Sequence, residues 1–565
     1  MLSASATALA LSLAAAHAAP PSAPSARAEA PVVLPRTTDP SGAPQINGPR
    51  ATGGTPGKQF FFLVPATGEA PLAYEAENLP AGLTLNPQSG VITGSIKEPG
   101  VTVTTFKVSN NRGIARKSIV IVGGTQKLAL TPPLGWNSWN VWGTSVTQEK
   151  VRAAADGFVS TGLAAHGFQY VNIDDGWEIY ARPPRAGRGA TQPAADAPPA
   201  TMPALRAPDG TILVNEKFPD MKALGDYIHS KGLRFGIYSS PGPTTCGGYT
   251  ASWQHEAQDA RTWASWGVDY IKYDWCSYSS VAPKAQQGDP GAITVGRNQF
   301  YTLDTLKKPY RDIRAALDTL DRDVVLSLCQ YGWGNVWEWG ADPDIGGNLW
   351  RATGDITDTW QSMSTIGFAQ TGHDQSVKPG HWNDTDMLVV GHVGWGPRTH
   401  PTRLTQNEQI THISLWSILA APMLLGNDMS KMDEFTIALM SNDEVLAVHQ
   451  DPLGKMGRRI SPEGTGPAAN RAEKQVWTRP LWDGTMAVGL FNLGNEPAEV
   501  TATLADLKLT GTQKVRDLWH LQDLSPAGDK ITATVPRHGA VLLKIGTPKP
   551  DAECLADLVK LHSEK

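Results

Sequence analysis

From Thr131 to about residue 452 the chain repeats one pattern: a short apolar run ending in polar residues, then a longer stretch with one apolar face. The runs fall at 133–140, 169–177, 234–240, 270–276, 324–331, 348–356, 380–388 and 421–428. The run from Tyr270 to Tyr273 is the type case, too short for a helix, rich in β-branched and aromatic residues, and read as a buried parallel strand. Between the runs the apolar spacing becomes helical. Val151, Ala154 and Phe158 share a face after the capping candidates Ser145 and Thr147, and Met221, Leu224 and Ile228 share another before a stop at Gly232. Eight strands, seven helical intervals and a further helix near 405–419 predict an α/β fold, a (β/α)8 barrel over 127–452. An open doubly wound sheet is the other arrangement of this alternation, but it rarely carries polar clusters on eight successive strand ends.

The flanks have a different rhythm. Residues 45–126 carry short alternating runs separated by turns such as Pro87-Gln88-Ser89-Gly90, which predicts a small β-sandwich. Within it, LPAGLTLNPQSGVITGS (79–95) resembles the Ig-like modules of bacterial surface and secreted enzymes, a statement about fold and not about function. Residues 453–547 again read as strands, at Gln475–Thr478, Met486–Asn492, Val515–Trp519 and Ala540–Ile545, with Asp483-Gly484 as a tight hairpin turn, and predict a second sandwich. The Ala/Pro/Ser-rich stretch 19–44 is expected to be a linker, and 548–565 a short polar, helical tail. Two insertions, 181–205 and 280–303, follow strand ends that carry acidic residues and should lie over the functional face.

Composition narrows the function classes. A chain of 565 residues with 41% hydrophobic and 18% charged residues is ordinary globular protein of several domains. Its net charge of -5, without a long basic run, argues against a nucleic-acid partner. Residues 1–18 read as a secretory signal ending in Ala16-His17-Ala18, although no Lys or Arg precedes the apolar run; no other stretch is long and apolar enough to span a membrane. The expected location is therefore secreted or periplasmic, where disulfides form. Of the four cysteines, Cys246 and Cys276 both lie in loops after predicted strands and are expected to pair, with Cys329 a buried thiol and Cys554 loose in the tail. The 19 Trp side chains suit sugar faces as well as cores.

The strand ends collect Trp139, Asp174, Asp175, Tyr238, Lys272, Asp274, Gln330, Arg351, Asp355 and Asp386. In a barrel these converge on one rim. Several carboxylates, one Lys, one Arg and aromatic walls suit a hydroxyl-rich ligand, and leave two carboxylates for acid and nucleophile work. Lys272 and Asp274 lie two apart on one strand face, so Lys272 should lower the pKa of Asp274; Asp355 should be pushed upward by a negative neighbour or by a bound sugar. A Mg²⁺ site on Asp174, Asp175 and Asp386 is the competing reading, but no H-x-H or H-E-x-x-H occurs, and no cofactor or metal is expected. A Ser-His-Asp hydrolase lacks its G-x-S-x-G elbow.

Five ordered segments, TPPLGWNSWN, YVNIDDGW, KYDWC, WRATGDI and NDTDML, resemble the α-galactosidases of glycoside hydrolase family 27. The similarity runs from about 128 to 452 and on through the C-terminal sandwich, without the N-terminal module. The resemblance implies a retaining exo-hydrolase of terminal α-linked galactose on oligo- or polysaccharides. It implies Asp274 as nucleophile, Asp355 as acid/base, and Asp174 with Asp175 on the 6- and 4-hydroxyls. Lys272, Arg351, Trp139, Tyr238 and Asp386 become pocket contacts, and Cys246–Cys276 a disulfide beside the nucleophile. Two positions depart from the family pattern: Gln330 where many members have Glu, expected here to reach the 2-hydroxyl, and Thr385 where Pro is common. Related activities, on α-N-acetylgalactosaminides, β-L-arabinopyranosides or dextran, are alternatives. Gln330 and Tyr331 leave little space for a 2-acetamido group, and Asp174 leaves room for a hydroxymethyl. A non-catalytic sugar-binding protein would more often have lost one of the two carboxylates.

Overall fold

A computed structural model describes residues 31–181 and 204–564. The signal segment and nearly all of the first insertion lie outside the described residues. The central unit is a ring of eight parallel strands: Leu134–Asn137, Tyr170–Asn172, Arg234–Ser239, Val268–Asp274, Val325–Cys329, Leu349–Arg351, Trp382–Asp384 and Met423–Leu425. Each pairs with its neighbour in sequence, the last pairs with the first, and a parallel bridge from Leu388 to Leu425 closes the remaining gap. Almost every strand residue is buried, as expected where side chains fill the barrel on one side and helices cover the other.

The helices follow their local signals. Gln148–Ser160 begins at Thr147, whose hydroxyl accepts from the Lys150 amide, and buries Val151, Ala154, Ala155 and Phe158. Met221–Ser230 starts at Asp220 in the same way and buries Met221, Leu224 and Ile228. The helix Gln406–Leu419 has a full capping box, Thr405 with Glu408, and is buried all round from Glu408 to Leu419. That burial comes from a second layer. The C-terminal unit, a six-stranded antiparallel sheet facing the strand pair Ala498–Thr503 and Lys530–Val535, packs on its outer side, with the Trp519 indole donating to Ser414 Oγ at 2.8 Å.

The N-terminal module has a four-stranded and a three-stranded sheet around Phe60, Phe62, Ile92, Phe106, Val108, Ile119 and Ile121. It sits beneath the barrel, at the end where the strands begin. Arg234, which opens the third barrel strand, donates to the Phe61 carbonyl, and Asp323, just before the fifth, accepts from the Thr55 amide at 2.6 Å.

Two expectations need correction. Within the stretch assigned as a linker, 31–44 is docked on the barrel: Val32 donates to Gln406 Oε1, Leu34 is buried, and Thr37 bonds to the Ser441 carbonyl and to Asp443. The tail is helical, at Asp551–Ser563, but Cys554 is buried and not loose. One face of this helix, Leu555, Leu558 and Val559, packs on Val101, Val103, Val120 and Val122 of the N-terminal module. No helix among the described residues is long and apolar enough to cross a membrane.

Candidate active site

The strand ends open into one cavity of about 100 Å³, lined among others by Trp139, Asp174, Asp175, Tyr238, Lys272, Asp274, Tyr331, Arg351, Asp355 and Asp386. Nine of the ten residues selected from sequence therefore meet here. The exception is Gln330. Its amide turns away and donates to the Trp333 carbonyl at 3.0 Å, so the residue expected to reach a 2-hydroxyl does not line the cavity. Tyr331 takes its place. The fifth strand pairs with the fourth so that Ser327 lies beside Lys272 and Cys329 beside Asp274, and the two-residue period carries that inward face on to position 331, not 330. Tyr331 has φ +64 and Gly332 φ +85, a turn that brings the phenol over Asp274.

Asp274 ends the fourth strand and is nearly fully buried. Two phenols hold it: Tyr238 donates to Oδ2 at 3.1 Å and Tyr331 to Oδ1 at 3.2 Å. Burial pushes its carboxyl up to about 6, against the opposing pull of Lys272. Lys272 thus acts in the expected direction and is outweighed. Its ammonium is committed elsewhere, to Asp174 Oδ2 at 2.9 Å, where Asn137 also donates.

Asp175 is raised to about 7, first by burial and then by the negative charges of Asp174 and Asp274. One oxygen accepts from the Gly247 amide at 2.5 Å; the other, buried, has no protein partner. Gly247 is required for this approach, because a Cβ there would stand 2.8 Å from the carboxylate. The same loop is pinned on its other side by the Cys246–Cys276 disulfide, Cα–Cα 4.8 Å, so the expected pairing is present. Cys246 lines the cavity beside Asp274. Glu178, not singled out from sequence, is wholly buried behind this pair, and burial together with Asp175 drives its carboxyl well above the usual range.

Across the cavity Arg351 holds two carboxylates, Asp355 at 2.8 Å and Asp386 at 3.0 Å. Asp386 adopts φ +78 and is tied by the Ile356 and Met387 amides, which locks the ends of strands six and seven together. Asp355 stands at the mouth with a side chain 69% exposed. Desolvation works upward on it, but Arg351, by charge and hydrogen bond, and Lys272 more than offset this and hold it below the usual carboxylate range. Asp355 is therefore depressed and Asp274 raised, the reverse of the order expected from sequence. Burial raises Asp274, and the Arg351 ion pair lowers Asp355.

The donors do not assemble a cation site. Asp174 is matched by Lys272 and Asn137, and Asp386 by Arg351 and two amides. The grouping of Cys246, Asp274 and Cys276 has both sulfurs committed to the disulfide, which leaves one carboxylate. Two carboxyl groups across a small polar cavity with phenol, ammonium and guanidinium donors fit acid and nucleophile chemistry on one sugar ring.

Comparison with known proteins agrees with this geometry. The sequence family described as alpha galactosidase A matches residues 131–292 and 294–451, and its C-terminal beta sandwich domain matches 471–545. An Ig-domain family matches 43–122. An alpha-galactosidase of Cyamopsis tetragonoloba is 37% identical over 426 residues, 75% of this chain and 87% of that protein. Alpha-galactosidase A of Cellvibrio japonicus is 32% identical over 445 residues, 74% of this chain and 93% of its own. Among solved structures, alpha-galactosidase I from Mortierella vinacea superposes with TM-score 0.60 at 31% identity, covering 76% of this chain and all of that one. A family 27 β-L-arabinopyranosidase from Geobacillus stearothermophilus gives the same TM-score at 26% identity, covering 74% of this chain and 97% of that one.

Proposed function

Because this chain belongs to the α-galactosidases of glycoside hydrolase family 27 and hydrolyses galactosides, we propose that Asp274 is its nucleophile and Asp355 its acid/base in a retaining double displacement on terminal α-galactose. The observation that carries this reading is the pairing of a buried carboxylate, oriented by two phenols, with a second carboxylate at the mouth on another strand. Asp274 attacks the anomeric carbon while Asp355 gives its proton to the leaving oxygen; Asp355 then takes a proton from the water that releases galactose. Arg351 must loosen from Asp355 when sugar fills the cavity, so that desolvation dominates and the carboxyl protonates. Asp174, held by Lys272, and Asp175, with one unpartnered oxygen, serve the 6- and 4-hydroxyls. The Tyr331 phenol closes the wall beside the nucleophile, which favours galactose over a 2-acetamido sugar. The disulfide and residues 1–18 together support an exported protein acting on oligo- or polysaccharides.

The test is stereochemical. NMR of the first product formed from an α-galactoside shows the α-anomer, with the β-anomer appearing only by mutarotation. A β-anomer formed first means a water, not Asp274, attacks, and the roles assigned here fall.

The alkaline limb of kcat/KM gives a second check. The reactive form carries one proton on the two carboxyls, and in the free protein that proton sits on Asp274 because Asp355 is held below the usual carboxylate range, so kcat/KM falls as pH rises through about 6. Lys272 favours the ionised form, and Lys272→Met therefore moves this limb to higher pH. A limb that stays put in the variant shows that Lys272 does not bear on the nucleophile.

A further inference from the structure

The loop that carries Asp355 is held by two residues that do not line the catalytic cavity, Asp358 and Arg403. We propose that Arg403 is a positioning residue for acid catalysis, which through Asp358 sets where the Asp355 carboxyl stands against the leaving oxygen. The proposal rests on the assignment of Asp355 above.

Asp355 lies four residues past the sixth strand, Leu349–Arg351, in the loop that leads to the helix Trp360–Gly367. On its inner side this loop is tied to the cavity wall: the Ile356 amide donates to Asp386 at 2.8 Å, and Arg351 holds Asp355 itself. The outer tie is Asp358, which is wholly buried. Its Oδ2 accepts from the Arg403 amide at 2.9 Å, and its Oδ1 from Arg403 Nε at 3.0 Å and from Nη2 as well. The His400 ring stands further off, at 3.9 Å. Burial works upward on the Asp358 carboxyl, but the Arg403 hydrogen bonds and charge outweigh it and keep the group ionised. Asp358 is thus a buried charge that Arg403 compensates.

Arg403 acts from a fixed base. Ahead of it, the Thr402 amide donates to the Gly391 carbonyl and the Thr402 hydroxyl to the Val389 carbonyl, both at 2.7 Å. Behind it, Leu404 is buried and Thr405 caps the helix Gln406–Leu419. The Arg403 side chain itself is 60% exposed, so its main structural engagement is with Asp358 and not with a core.

The effect on catalysis follows from the path of the chain. Asp358 is three residues from Asp355, whereas Asp174, Asp175 and Asp274 stand at the ends of other strands. Removing the guanidinium leaves a buried carboxylate uncompensated, and the loop must shift for that charge to reach water. Asp355, exposed at the mouth, moves with it, while the nucleophile stays in place. A general acid has to stand within hydrogen-bond reach of the atom it protonates, and a misplacement of about 1 Å is costly.

The test separates protonation of the leaving group from the rest of the site. α-Galactosyl fluoride departs without a proton, and a galactosyl-α-1,6-glucose disaccharide does not. Arg403→Leu is expected to lose about tenfold in kcat/KM on the disaccharide and to stay within about twofold on the fluoride. Arg403→Lys keeps the charge without the paired donors, and is expected to fall between Arg403→Leu and the parent. Thermal melting verifies the fold, and if Arg403→Leu does not fold, the Lys variant decides by the same comparison. Equal losses on both substrates would make the clamp a support of the whole cavity and overturn the proposal. No loss on either would make it a surface ion pair and overturn it as well. Equal losses for Asp355→Ala would instead remove Asp355 as the acid, and this proposal with it.

Discussion

Asp274→Asn lowers turnover by roughly 10⁴-fold or more while leaving the fold and galactose binding in place. The amide has the same shape: its oxygen still accepts from one of the phenols now at 3.1 and 3.2 Å, and its NH2 donates to the oxygen of the other, so the cavity is little disturbed. What it lacks is a charged oxygen able to form the glycosyl-enzyme. The substitution also removes a negative charge that raises Asp175, and so lowers the pKa of that neighbour, a change visible by NMR titration independently of turnover. The measurement is kcat on a nitrophenyl α-galactoside, with mass spectrometry excluding deamidation back to Asp. Substantial turnover by the verified Asn protein would remove Asp274 from the role of nucleophile.

Asp355→Ala has the second largest effect, and its size depends on the leaving group. General-acid assistance contributes about 10²–10⁴-fold, and it is needed most where the departing oxygen is basic. The variant therefore loses kcat/KM, which ends at the leaving-group step, by that order on a disaccharide and by far less on α-galactosyl fluoride, whose leaving group needs no proton. Because the Asp355 side chain is 69% exposed at the mouth, truncation leaves no buried cavity, and thermal stability stays near that of the parent protein. Steady-state kinetics on the two substrates read the difference. An equal loss of kcat/KM on both would mean that Asp355 positions Arg351 and does not protonate the leaving group.

The barrel was legible because each strand is a short apolar run that stops at a polar residue, and Val268–Asp274 and Val325–Cys329 carry that signature with little ambiguity. The C-terminal unit was legible only in part. Met486–Asn492 and Ala540–Ile545 are apolar enough to stand out, whereas Gln522–Ala527 is exposed at five of its six positions and offers no periodic signal. Ala498–Thr503 and Lys530–Val535 bury alternate residues on the smaller sheet, but with Ala and Thr among them the contrast is weak. In the site, motif and strand end together located nine of ten residues, and the tenth failed by one position. The register of the fifth strand selects Tyr331 over Gln330, and that choice depends on where a strand stops and a left-handed turn begins. The order of the two carboxyl pKa values failed for another reason: the burial that raises Asp274 is a property of the assembled ring, and no local spacing measures it.

The helix Asp551–Ser563, lying on the valine strip of the N-terminal module, has a consequence for biosynthesis. A domain made first generally folds first, while the rest of the chain is still being synthesised. Here the module cannot cover its own outer strip, because the residues that cover it, Leu555, Leu558 and Val559, are made more than 400 positions later. Until then Val101 and Val103 face water, and any chain broken off before position 551 keeps them there. Removing the helix therefore leaves an apolar strip of the module's sheet in water.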